Sequence, residues 1–171
     1  MKKLFTIGYE GSTAENLLAT LENVGVEVLA DVRELPLSRK KGLSKTSLSQ
    51  SLAERNIGYQ HFKMLGDPKP GRDAAKSGNY AEFERIFLKH LATQGAQEAL
   101  GTLLGVAERK VTCLLCFERC ASVCHRSYLA DFAVQMGFEV YNLVSDSPEK
   151  YLKNGAQVPR YNPRQSLTAA E

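Results

Sequence analysis

The sequence predicts a single three-layer α/β domain with a mostly parallel, Rossmann-like sheet and helices on both faces. Three observations point to this class. Short apolar, β-rich runs alternate with segments of helical periodicity. The alternation starts strand, helix, strand with tight spacing, which implies a parallel pair joined by a right-handed crossover. The run Lys110–Cys116 is continuously apolar, as in a central strand covered on both faces.

Each element follows from local signals. Lys3–Ile7 is a first strand, stopped at Gly8. Thr13–Val24 carries Leu17, Leu18, Leu21 and Val24 at helical spacing, with Ser12 or Thr13 as N-cap and Gly25 as the stop. Val26–Val32 is a second strand. After a loop over 34–42, Ser44–Arg55 reads as a helix with Leu48 and Leu52 on one face. Gly58–Phe62 is a third strand. Leu65–Arg72 holds two prolines and two glycines and reads as loop throughout. Tyr80–His90 and Ala96–Glu108 are helical, with a break near Thr93, Gln94 and Gly95. Ser122–Met136 is a helix closed by Gly137, and Phe138–Val144 is the last strand. Residues 1–147 form the α/β domain, and 148–171 a polar, partly mobile C-terminal extension.

At 171 residues the chain is long enough to bury a sizeable core in one domain. A formal charge of +3 allows an anionic ligand without arguing for general nucleic-acid binding. Arg33, Arg39, Lys40, Lys41 and Lys45 form a basic run interrupted only by the acid Glu34. Such a run is either a solvated loop or a lid over an anion. No stretch approaches the ~18 apolar residues of a membrane span. The apolar N-terminal run is too short for a signal peptide, so the expected setting is the cytoplasm. In a reducing compartment, four clustered cysteines point to thiol chemistry, metal binding or packing rather than a disulfide framework.

Those cysteines lie in Cys113-Leu-Leu-Cys-Phe-Glu-Arg-Cys-Ala-Ser-Val-Cys-His-Arg126, which runs from the end of a strand into a helix. Ligands of α/β sheets bind at the carboxyl ends of the strands. Those ends hold Tyr9 and Glu10, Asp31 and Arg33, His61, and Cys116 and Glu118. The expectation is that they converge on one crevice. With Ser122 as N-cap, Cys124 and His125 occupy the first helical turn, where unpaired N–H groups favour a thiolate or a bound anion. Arg126, Arg33 and Arg39 are the candidate anion ligands, with Tyr9 and Ser122 at the rim. Glu118 and Asp31 are the candidate acid–base groups, with Cys124 or His125 as nucleophile or assistant. His125 is alternatively a structural histidine bonded to a carbonyl, and Asp31 with Arg33 or Arg126 a structural ion pair.

Two sharper readings have weaker support. Cys120 to Arg126 fits C-x5-R, the pattern of thiol phosphatases, and Asp31-Val-Arg33 is similar to rhodanese-like domains. The nucleophile of that pattern should end the strand, however, and the intervening loop has no glycine. Cys113, Cys116, Cys120, Cys124 and His125 are soft enough for zinc or an iron–sulfur cluster. Cys113 and Cys116 fall on opposite faces of a strand, so no metal is assigned. No cofactor is expected, since G-x-G-x-x-G and G-x-x-x-x-G-K are absent.

Thr6-Ile-Gly-Tyr-Glu10, Asp31-Val-Arg-Glu-Leu-Pro-Leu-Ser-Arg39, Leu65-Gly-Asp67, Leu115-Cys-Phe-Glu118 and Cys124-His-Arg126 together resemble family 488 of the domains of unknown function. The resemblance runs from about residue 4 to residue 144. It implies a small α/β domain of a bacterial or archaeal type with no established activity, whose pattern includes Cys116, Glu118, Cys124, His125 and Arg126. Cys120 departs from that pattern. The resulting expectation is an enzyme, or a domain derived from one, acting on a small anionic or phosphate-bearing ligand. A nucleotide or nucleic-acid end is the first class to try, although nucleic acid is not specifically indicated. The alternative is a non-catalytic module binding an anion or a partner.

Overall fold

A computed structural model describes residues 2–145. The extension expected over 148–171 lies outside them. Five strands form one all-parallel sheet: β1 (Lys2–Gly8), β2 (Val28–Asp31), β3 (Gly58–His61), β4 (Thr112–Cys116) and β5 (Phe138–Val144), in the order β3-β2-β4-β1-β5. Six helices cover it: α1 (Ala14–Asn23), α2 (Lys45–Ala53), α3 (Lys69–Lys76), α4 (Tyr80–Leu91), α5 (Gln94–Ala107) and α6 (Arg126–Gln135). The fold is a single α/β domain of the Rossmann-like type.

Strand alternation divides the core in two. On one face Phe5, Ile7, Leu29, Cys113 and Leu115 pack against Leu17, Leu18 and Leu21 of α1 and Leu48 and Leu52 of α2. On the other, Leu4, Ala30 and Leu114 meet Phe83, Phe87 and Leu91 of α4, Leu100 and Leu103 of α5, and Leu129, Ala130 and Ala133 of α6. Each fully buried leucine contributes roughly 1.5–3 kcal/mol. Thr13 caps α1 by accepting from the Asn16 N–H at 3.1 Å, and Thr93 caps α5.

Two elements differ from the sequence reading. Within 65–72, α3 begins at Lys69 and places Pro70 in its first turn, where the missing N–H carries no penalty. Ser122 does not cap a helix. Ala121–Val123 form a separate 3-10 turn, and Cys124 is extended (φ −116°, ψ 143°), so α6 starts only at Arg126 with His125 as its N-cap. Cys124 and His125 are therefore outside the first helical turn.

After β2 the chain leaves towards β3; after β4 it leaves in the opposite direction, through α6 to β5. That divergence puts a switch point between the carboxyl ends of β2 and β4, where such folds bind ligands. Among the described residues no helix is long and apolar enough to cross a membrane.

Candidate functional site

The polar residues expected to share one crevice occupy two places. Register explains the split. Asp31 pairs with Leu115, whose side chain belongs to the α1/α2 face, whereas Gly8 pairs with Cys116, one residue further along and so on the opposite face.

On the α1/α2 face, Asp31 and Arg33 form a buried two-point pair. Arg33 Nε donates to Asp31 Oδ1 at 2.8 Å and Nη2 to Oδ2 at 2.6 Å. Nη1 donates to the Leu43 carbonyl at 2.8 Å and to the Tyr9 hydroxyl at 3.3 Å, and the guanidinium lies over the Tyr9 ring. Tyr59 donates its hydroxyl to Asp31 Oδ2 at 2.5 Å. Burial alone would lower the Arg33 pKa, but the bonds and charge of Asp31 outweigh it and hold the guanidinium firmly charged. Burial and Asp31 together push the Tyr59 hydroxyl up. Asp31, Arg33 and Tyr9 thus make a closed structural network. Asp31 and Arg33, expected as an acid–base group and a ligand-binding residue, here spend their bonding groups on one another, on the Leu43 carbonyl and on Tyr9 and Tyr59.

On the α4/α5/α6 face, at the β2/β4 switch point, lie Cys116, Glu118, Cys124, His125 and Arg126. His125 Nε2 donates to the Val32 carbonyl at 2.8 Å, which leaves Nδ1 facing two sulfurs, Cys116 Sγ at 3.7 Å and Cys124 Sγ at 3.8 Å. The ring packs on Phe87 with centroids 5.2 Å apart. Cys116 Sγ donates to Glu118 Oε2 at 3.1 Å. Glu118 is held there by backbone contact: a Cβ on Gly8 would sit 1.7 Å from the Glu118 carbonyl oxygen, so only glycine lets the end of β1 touch this loop.

Arg126 is fully buried. Its Nη1 donates to the Glu118 carbonyl at 2.5 Å, Nη2 to the Arg119 carbonyl at 3.1 Å and Nε to Thr6 Oγ1 at 3.2 Å. The Thr6 hydroxyl in turn donates to Asn142 Oδ1. Arg126, expected as an anion ligand, thus ties down the loop after β4, and the C-x5-R reading gains no support from this placement, since a phosphatase loop needs that guanidinium over its cradle. Cys120 Sγ, at the other end of the pattern, contacts Ser122 Oγ at 3.1 Å. Ser122 and Arg39 are exposed. Cys113, buried on the other face with its thiol pushed up by burial, takes no part, as strand parity requires.

The cluster's charges are unequal. Burial favours a neutral Cys124 thiol. The polar contact with Cys116 and the charges of Arg126 and His125 outweigh it and hold the sulfur well below the usual thiol range. Burial, followed by the bond and charge of Cys124, keeps the Cys116 thiol well above that range. Burial opposes a charged His125, but the Cys124 sulfur prevails and pushes the ring up to about 9. Burial and then Cys124 push the Glu118 carboxyl up to about 7. The cluster thus sets a sulfur shifted down beside one shifted up, with the imidazole and the carboxyl both shifted up.

The sequence reading missed one neighbour and underrated another. Asp67 lies close enough to His125 and Cys124 to feel their charges, is buried, and has an Oδ1 without a hydrogen-bond partner. Burial pushes its carboxyl up to about 6. A Cβ on Gly71 would lie 2.1 Å from that Oδ1, and Arg72 pins the loop by donating to the Asp67 carbonyl at 2.6 Å and to Glu34. Cys116 was visible as the residue ending its strand. Nothing in the spacing of Leu65-Gly-Asp67 marks Asp67 as a partner of residues near 125.

A family model described as "Domain of unknown function DUF488" matches residues 13–133, well over half of the chain. The chain belongs to that family. The matched span contains both polar clusters except Tyr9, and it omits β1 with Gly8. No curated protein and no solved structure matches.

Proposed function

We propose that this DUF488-family protein is an enzyme whose reacting atom is the Cys124 sulfur, with His125 as its proton partner and Glu118 as the acid–base group. One observation carries the reading: Nδ1 of His125 faces the Cys124 sulfur while Nε2 is anchored to the Val32 carbonyl. A nucleophile beside a base that a third group orients is the arrangement of covalent catalysis. Its place at the β2/β4 switch point supports the same reading. Cys116 donates to Glu118 and flanks both, ready to pass a proton.

The substrate is an electrophile bearing an anionic group. With Arg33 and Arg126 committed internally, exposed Arg39, Lys41 and Lys45 are the candidate cations of the basic run to attract it. Lys40 anchors their loop to the carboxyl edge by donating to the Ser12 carbonyl at 3.0 Å and the Tyr9 carbonyl at 3.3 Å.

Alkylation of metal-free, reduced protein tests this. Neutral iodoacetamide and anionic iodoacetate are compared in a Cys120→Ser background, with the modified residue identified by mass spectrometry. Cys124 reacts first, His125→Gln slows it at least tenfold, and Arg39→Ala slows iodoacetate alone. A native protein in which Cys124 stays unmodified has no usable nucleophile, and the reading fails.

A further inference from the structure

We infer that the same cluster is a zinc site, with Cys116, Cys124 and His125 as ligands and the fourth position open to water or substrate. The Sγ atoms of Cys116 and Cys124 and a ring nitrogen of His125 all lie within 4.8 Å of one another. Zinc holds sulfur at about 2.3 Å and nitrogen at about 2.0–2.1 Å in a tetrahedron, which puts ligand sulfur and nitrogen about 3.6 Å apart. The observed separations from His125 Nδ1 are 3.7 Å and 3.8 Å. Its two sulfur–nitrogen edges are therefore already close to those of a zinc tetrahedron, before any ion pulls on them.

The outer contacts fit as well. A metal-bound histidine donates its second ring N–H to a carbonyl or carboxylate. His125 does so to Val32, and this fixes the tautomer with Nδ1 free to coordinate. Glu118 Oε2 stands 3.1 Å from Cys116 Sγ, where it serves as an outer hydrogen-bond partner of that ligand. The Asp67 carboxylate, buried and with an unpartnered oxygen, supplies a further negative charge nearby. On binding, the two thiols and His125 Nδ1 release the protons they carry to solvent, which leaves two thiolates and two carboxyls against the guanidinium of Arg126 and, beside Asp67, that of Arg72. A divalent ion balances that excess, and mixed sulfur and nitrogen donors in tetrahedral array select zinc over calcium or magnesium.

Binding rests on this geometry alone. Its consequence rests on the catalytic reading above: a sulfur bonded to zinc is withdrawn from attack, so loading silences Cys124 and metal removal releases it.

Chelator-treated, reduced protein is titrated anaerobically with cobalt(II) as a spectroscopic stand-in, and cobalt is then displaced by zinc. One equivalent binds with tetrahedral ligand-field bands and a thiolate-to-cobalt charge-transfer band. The band weakens in Cys116→Ser and in Cys124→Ser, and it is retained in Cys113→Ser/Cys120→Ser. Glu118→Ala lowers affinity at least tenfold. Circular dichroism of each variant confirms folding. Zinc slows alkylation of Cys124 at least tenfold, and a chelator restores it. Absence of the charge-transfer band, or its survival in Cys116→Ser/Cys124→Ser, overturns the site. If the band forms while Cys124 of the metal-free protein refuses alkylation, the site stands and the nucleophile reading alone falls.

Discussion

Two buried polar clusters flank the same sheet, and they have solved the cost of burial in opposite ways. Around Asp31, each carboxylate oxygen meets a donor from Arg33, and Tyr59 and the Leu43 carbonyl use what remains. That network is neutral in sum and closed to anything else. Around Cys124, acidic groups outnumber cations, Asp67 keeps an unpaired oxygen, and burial pushes the Glu118 carboxyl and the Cys116 thiol towards their protonated forms. A saturated network fixes structure. An unsaturated one stores affinity for whatever relieves it, a proton, an ion or a substrate.

The largest expected effect comes from breaking the saturated side. Asp31→Asn strands the Arg33 charge inside the protein and should cost about 3–5 kcal/mol in urea unfolding. In protein that remains folded, alkylation of Cys124 should be unchanged, because the sheet separates the two networks. A change in that rate comparable to the His125→Gln effect would mean that the clusters communicate.

The next effect sharpens the unsaturated side. In the metal-free protein Glu118 ionises near 7, against about 4.3 in an unfolded chain. The folded state thus keeps a proton that the unfolded state has shed. The stabilisation is complete below about pH 4 and is lost as pH rises through 7. Glu118→Gln removes this slope, so between pH 5 and pH 8 the variant should lose on the order of 1–2 kcal/mol less stability than the wild type. Equal slopes would place the buried proton elsewhere.

The smallest effect concerns a residue in neither network. Ser122 is exposed and precedes α6 by a 3-10 turn and an extended residue, so Ser122→Ala should change stability by less than about 0.5 kcal/mol. A helix N-cap would cost about 1 kcal/mol, so the measurement tells the two geometries apart.

Much of the fold was legible because periodicity and turn chemistry are local. Leu17, Leu18 and Leu21 mark α1, the uninterrupted apolar run marks β4 as central, and strand parity alone removes Cys113 from the site. The joint presence of Glu118, Cys124 and His125 was legible from their closeness in sequence. Which face Asp31 occupies was not. That depends on the register of β2 against β4, where a shift of one residue exchanges faces, and register is set by distant packing. Ser122 misled because a serine before a helical pattern normally caps it; here the extended Cys124 intervenes. Arg126 misled because an arginine beside a reactive thiol suggests an anion, yet carbonyls 118 and 119 claim it first.

That claim on Arg126 has a directional consequence. Its guanidinium bolts the segment after β4 to Thr6, and Thr6 is joined to Asn142, so the flank towards β1 and β5 is shut by a chain of bonds spanning three strands. Cutting one bond of that chain, as in Thr6→Val, should therefore loosen the segment that carries Glu118 without touching either sulfur.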